Sequence, residues 1–167
     1  MKWFVDGYNV IRRDADLRGR ESESLESGRS ALLAAVAAAA RRTGDQFTVV
    51  FDGARRDAGV GPPTGQVQVM FSRPPESADD VLRALIVKAG AGSVVASSDR
   101  AVCDAARRAG AVAVSAEDFV AALRGGAVWE DEEDGDEPTQ KRGGNPRRPS
   151  REERDARRVL GRLGGRR

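Results

Sequence analysis

The run Lys2-Trp3-Phe4-Val5-Asp6-Gly7-Tyr8-Asn9-Val10-Ile11 restricts this chain more than any other stretch. Its unbroken apolar residues need cover on both faces, as a buried parallel strand does. The run stops at an aspartate, which places a carboxylate at the edge of a sheet. Gly7 is expected to let the backbone turn sharply beside that acid, and Asn9 adds a neutral oxygen nearby. Further acids follow in similar settings: Val49-Val50-Phe51-Asp52-Gly53, Ser77-Ala78-Asp79-Asp80, and Val94-Val95-Ala96-Ser97-Ser98-Asp99.

Between these segments the chain alternates strand-like and helix-like patterns. Residues 2–6 form the first strand, whereas 12–23 are polar and charged and read as a loop. Leu25 to Arg42 is rich in Ala, Leu and Arg, strong helix formers, and Thr43-Gly44-Asp45 ends it. Residues 47–51 and 66–71 read as strands, separated by a loop whose breakers are Gly59, Gly61, Pro62, Pro63 and Gly65. Ser77 and Asp80 have capping-box spacing for a helix running to Gly90. Residues 93–96 are a strand, Asp99 opens a helix stopped by Gly110, and 111–114 are a short strand. Ser115 and Asp118 open a last helix, which ends at Leu123 to Gly126. Such alternation predicts a mainly parallel sheet with helices on both faces. Ligands in these folds sit beyond the carboxyl ends of the strands, where strand order reverses. Asp6, Asp52 and Asp99 all fall at strand ends of that kind.

The chain has no histidine and one cysteine, Cys103. Zinc sites of the His/Cys kind and Ser-His-Asp or Cys-His catalysis are therefore excluded. Any metal must be held by oxygen, which favours Mg²⁺ or Mn²⁺. Cys103 lacks a disulfide partner within the chain and reads as an ordinary small residue in a reducing cytoplasm. No secretory signal or membrane-spanning apolar run is evident, so no membrane partner is expected.

Charge divides the chain near residue 125. Residues 1–124 carry 17 Lys+Arg against 16 Asp+Glu. Beyond them, Glu130 to Glu137 has seven acids in eight positions, and Lys141 to Arg167 has eleven bases against three acids. Residues 125–167 are expected to form a disordered acidic-then-basic tail, within which Arg151 to Leu163 has the pattern of a short helix with Val159, Leu160 and Leu163 on one side. Its basic part, including Lys141, Arg142, Arg147 and Arg148, suits RNA through counterion release but offers no aromatic ring for stacking.

Carboxylates held close together repel one another unless a cation lies between them. A bound divalent ion activates water and neutralises charge on a phosphate. Asp6, Asp79 and Asp99 are the expected principal ligands, with Asn9, Asp52 and Asp80 binding directly or through water. Arg73, Ser97, Ser98 and Arg100 are expected to touch the phosphate backbone. Each acid also has a plainer reading: Asp79, Asp80 and Asp99 as helix-start residues, and Asp52-Gly53 as a turn.

Taken together, Val5-Asp6-Gly7-Tyr8-Asn9-Val10-Ile11, Val50-Phe51-Asp52-Gly53, Ser77-Ala78-Asp79 and Ser97-Ser98-Asp99 resemble the NYN domain, in particular its YacP-like branch within the PIN-like nuclease superfamily. The resemblance covers residues 1–124. It implies a Rossmann-like (PIN-like) α/β/α sandwich and divalent-metal-dependent endoribonuclease activity, with RNA as substrate and the ribosome as one setting. It carries the metal-site acids onto Asp6, Asp79 and Asp99, with Asp52 and Asn9 in support, and leaves open which of Asp79 and Asp80 faces the metal. Asp118 stands near where many PIN-like nucleases have a last acid, but is equally a capping residue. The rival on the same fold is a non-catalytic RNA-binding or ribosome-associated adaptor. A receiver-type phosphoacceptor lacks its lysine at a late strand end, and a haloacid-dehalogenase-type phosphatase lacks its Asp-x-Asp.

Overall fold

The computed structural model describes residues 1–53, 65–126 and 149–165. Its centre is a five-stranded sheet of β1 (Lys2–Asp6), β2 (Gln46–Phe51), β3 (Val67–Phe71), β4 (Ser93–Ala96) and β5 (Val112–Val114). The strand order is β3-β2-β1-β4-β5, and all four pairings are parallel. The chain builds outward from β1 through β2 to β3, then returns to β1's other edge as β4. The reversal lies between β1 and β4, which puts the ends of these two strands at the switch point.

Side chains along β1 alternate between two cores, the expected behaviour of a strand covered on both faces. Trp3 and Val5 join the larger core, where Trp3 packs between Phe47 and Phe119 at centroid distances of 5.7 and 5.6 Å. Phe4 joins the smaller core with Val50, Leu82, Ile86 and Val102. The helices α4 (Ala78–Ala89) and α5 (Arg100–Arg108) supply the smaller core. On the larger face lie α3 (Leu25–Thr43) and α6 (Ala116–Leu123), joined by α1 (Gly7–Arg13), α2 (Ala15–Glu23) and α7 (Arg151–Leu163).

Three parts of the chain differ from the sequence expectation. Residues 12–23 are not a loop: α1 (Gly7–Arg13) and α2 (Ala15–Glu23) fill most of this stretch. Capping rather than an apolar stripe marks α2, because Asp14 accepts the Leu17 amide proton at 2.9 Å and Leu17 is its one buried residue. Gly7 makes no special turn but opens α1, and a Cβ there would overlap the Phe51 ring. Its smallness serves close approach, not backbone freedom.

The third difference concerns the end of the chain. The stretch Arg151–Leu163 is a helix, α7, and it is docked rather than free. Val159, Leu160 and Leu163 lie in the larger core, and burial of each contributes about 1.5–3 kcal/mol. Arg42 donates to the Leu163 carbonyl at 2.8 Å and Arg162 donates to Asp45 at 2.9 Å. The folded unit therefore extends past residue 124, because three apolar side chains spaced on one helical face found a core to join. The acidic block at 130–137 and Lys141, Arg142, Arg147 and Arg148 lie outside the described residues. Among the described residues no helix is long and apolar enough to cross a membrane.

Candidate active site

Asp6 ends β1 and caps α1 in the same residue. One carboxylate oxygen accepts the Asn9 amide proton at 3.3 Å, and the other accepts the Ser97 hydroxyl proton at 2.9 Å. The residue is 7% exposed. Burial pushes its carboxyl above the ordinary value of 3.8; the Ser97 and Asn9 bonds oppose this, while the charges of Asp79 and Asp99 add to it. Asp6 is thus a buried acid whose direct partners are neutral and whose electrostatic neighbours are acids.

Ser97 is the hinge-pin between Asp6 and Asp99. It is fully buried, and its hydroxyl donates to Asp6 while accepting the Asp99 amide proton at 3.0 Å. Asp99 caps α5 by accepting the Val102 amide proton at 3.0 Å. The sequence expectation that Ser97 touches phosphate fails here, since neither its surface nor its hydroxyl is available. The Cys103 thiol, raised by burial, lies 3.2 Å from the Ser97 carbonyl and acts as the small packed residue expected.

Asp79 and Asp80 separate cleanly. Asp80 is bound into the capping box, accepting from the Ser77 amide at 3.0 Å and the Ser77 hydroxyl at 2.8 Å, and it pairs with Arg83. The Ser77 amide, then its hydroxyl, then Arg83 hold Asp80 below the ordinary carboxylate range. Asp79 is shifted the other way, first by burial and then by the charge of Asp99, with Asp52 and Asp80 adding and Arg83 opposing. It is therefore Asp79 that shares a field with Asp6 and Asp99.

The remaining expected residues sit around this group. Asn9 accepts the Ser98 amide proton at 2.9 Å through its side-chain oxygen, tying α1 to the end of β4. Ser98 donates its hydroxyl to Glu117 at 2.7 Å and accepts the Ala116 amide proton at 3.1 Å, so that hydroxyl too is committed within the protein. Asp52 accepts from Ser72 at 2.6 Å and from the Ala78 amide at 3.3 Å. Arg73 is exposed after β3, and Arg100 is exposed in the first turn of α5, 3.9 Å from Asp104. Asp118 bonds to Ser115 and behaves as a cap.

Two residues at this edge were not singled out from sequence. Glu117 pairs with Arg13 at 3.1 Å; burial opposes its ionisation, but Ser98, a backbone amide and Arg13 together hold it below the ordinary range. The available signal was its place beside Asp118 in Ser115-Ala116-Glu117-Asp118. Ser72 is 1% exposed, and its signal was register: Phe51 pairs with Phe71, so Asp52 and Ser72 must end up abreast.

Among the described residues no three His, Cys, Asp or Glu side chains stand as a ready-made metal cluster. The donor chemistry nevertheless suits a hard cation: all donors are oxygen, the charges of Asp79 and Asp99 raise the cost of ionising Asp6, and that of Asp99 raises the cost of ionising Asp79. Mg²⁺ commonly binds through one or two carboxylates plus waters and substrate phosphates, which asks for no such trio. A shallow depression of about 480 Å³ at the opposite ends of the strands, lined by Lys2, Gln46 and Ser93 among others, lies away from these acids.

The YacP-like NYN domain family model matches residues 3–158 of the chain. The structure is similar to the crystal structure of Rae1 (YacP) from Bacillus subtilis, with 25% identity, 74% of this chain and 73% of that chain covered, and a TM-score of 0.63. A point-mutant form of that protein matches at 27% identity over 74% of each chain, with a TM-score of 0.62. No curated protein matches the chain.

Proposed function

Because this chain belongs to the YacP-like NYN domain family, we propose that it is a divalent-metal-dependent endoribonuclease acting at the acid group beyond β1 and β4. The observation that carries this reading is Asp6: a buried carboxylate with neutral partners and two acidic neighbours, at the switch point of a parallel sheet. A carboxylate in that position is relieved by taking up a proton or by a cation. Asp6, Asp79 and Asp99 would hold Mg²⁺ or Mn²⁺, with water completing the set. When bound, the ion supplies water activation and neutralisation of charge on the scissile phosphate.

The chain's own residues then do three things. Ser97 and the Asn9 amide fix the Asp6 carboxylate in orientation, and Ser97 sets the spacing to Asp99. Asn9 acts as a tie between α1 and Ser98 rather than through a free oxygen. Arg73 and Arg100, both exposed, offer cations to the RNA backbone beside the acids, and the basic residues Lys141, Arg142, Arg147 and Arg148 add sequence-independent attraction.

The reading is tested by incubating end-labelled RNA with wild type, Asp79→Asn and Asp80→Asn in Mn²⁺, Mg²⁺ or EDTA. Metal-dependent internal cuts are expected from wild type and from Asp80→Asn, but not from Asp79→Asn. Cutting that survives EDTA or Asp79→Asn would refute it. The alternative, a non-catalytic RNA-binding adaptor on the same fold, predicts firm, salt-sensitive RNA binding and no cutting from any of the three.

A further inference from the structure

We propose that Asp52 and Ser72 form a positioning pair that docks the first turn of α4 on the sheet edge and so aims Asp79 at Asp6 and Asp99. The inference rests on the nuclease reading of that acid group, and it gives Asp52 a role other than metal ligand.

The α4 helix carries its own start signal in the Ser77–Asp80 capping box, but that box is local and fixes nothing about where the helix end sits. The long-range tie is Asp52. Its Oδ1 accepts the amide proton of Ala78, the first residue of α4 and one of the helix-start donors with no partner inside the helix. The same Oδ1 accepts the Ser72 hydroxyl proton at 2.6 Å. Ser72 is itself immobilised: its amide donates to the Phe51 carbonyl at 3.0 Å, and its oxygen accepts the Gly53 amide proton at 3.2 Å. One buried hydroxyl thus joins the ends of β2 and β3 to an acceptor that receives α4.

Ala78 is buried beside Phe4 and Val50 in the smaller core, so the turn is gripped from beneath by packing and from the side by Asp52. Asp79 is the next residue. The charges of both Asp52 and Asp99 reach it. This role needs an oxygen acceptor at Oδ1 and does not need a charge. A ligand role needs the charge. Asparagine separates the two, because its side-chain oxygen still accepts from Ser72 and Ala78.

The test uses the full chain with Asp52→Ala, Asp52→Asn and Ser72→Ala. Three quantities are read: Mn²⁺ affinity without RNA, by paramagnetic resonance of free Mn²⁺; kcat and KM for end-labelled RNA; and the Ala78 amide resonance. Asp52→Ala and Ser72→Ala are expected to weaken Mn²⁺ binding or kcat about 10- to 100-fold, as loss of an outer partner of a ligand does, with KM for RNA unchanged. Both should move the Ala78 amide resonance, and Asp52→Asn should restore all three quantities. Equal damage from Asp52→Asn and Asp52→Ala would overturn the inference by making the charge essential. Unchanged Mn²⁺ affinity and kcat in both alanine variants would overturn it too, while leaving the nuclease reading intact. Wild type that neither binds Mn²⁺ nor cuts RNA would overturn both.

Discussion

Two buried aspartates lie at opposite ends of the same sheet, and they are satisfied in opposite ways. Asp45, beside the start of β2, is 1% exposed and accepts from the N-terminal ammonium at 2.5 Å, from the Trp3 indole at 3.1 Å and from Arg162 at 2.9 Å. Two cations and a donor from β1 converge on it, and the result ties α7 to the start of β1. Asp6, at the far end of β1, meets a neutral hydroxyl, a neutral amide and the fields of two more acids. Buried charges in proteins are ordinarily paired, so the second arrangement leaves a demand that the first does not. Burial alone does not mark a functional acid; the sign of what surrounds it does.

The comparison can be broken most severely from the Asp45 side. Leu160→Ala removes a fully packed α7 side chain and is expected to cost about 2–5 kcal/mol, read as a lower denaturant midpoint. Loosening α7 also takes Arg162 from Asp45, so the loss should be partly non-additive with Asp45→Ala. On its own, Asp45→Ala leaves the Trp3 indole and the N-terminal ammonium without this acceptor, and Arg162, already half-exposed, free to be hydrated. A loss of about 1–3 kcal/mol is expected, with RNA cleavage per folded molecule unchanged.

A subtler effect sharpens the Asp6 side. The fold raises the Asp6 carboxyl value, so it favours the protonated form. The stability this group contributes is fully present below its unfolded value and is lost as pH rises through the raised folded value. Asp6→Asn carries no such dependence. Its thermal midpoint should therefore gain on wild type between acid and neutral pH, and a midpoint that instead falls relative to wild type over that range would show that Asp6 is not strained by ionisation. Smallest of all, Arg13→Ala breaks a pair in which both side chains are about half-exposed, and is expected to cost under about 1 kcal/mol in a urea melt.

Much of this architecture was legible in the chain. Continuous apolar runs ending in acids read as parallel strands, since a strand covered on both faces has no room for polar residues until it ends. That pattern put Asp6, Asp52 and Asp99 at strand ends, whereas Asp79, in a helix start, joined Asp6 and Asp99 through the family resemblance. What escaped was set by partners distant in sequence. The choice between Asp79 and Asp80 was the exception: the local Ser77–Asp80 capping box and Arg83, three residues on, take the one and leave the other. Ser97 and Ser98 read as phosphate contacts because their hydroxyls are chemically suited to it, yet tertiary hydrogen bonds had already used both. The α2 helix was hidden by its charged surface and single buried leucine. The apolar trio of α7 was visible as a face, but no local rule says that a helix following so charged a stretch returns to the core.

The most direct test of the central claim is the thermal midpoint of wild type, Asp6→Asn and Asp45→Ala with and without Mn²⁺. A site-bound ion stabilises the folded state by about 2.7 kcal/mol at a hundredfold excess over its Kd. The account predicts that wild type and Asp45→Ala rise by the same increment from different baselines, and that Asp6→Asn does not rise. An undiminished rise in Asp6→Asn, or its loss in Asp45→Ala, would contradict it.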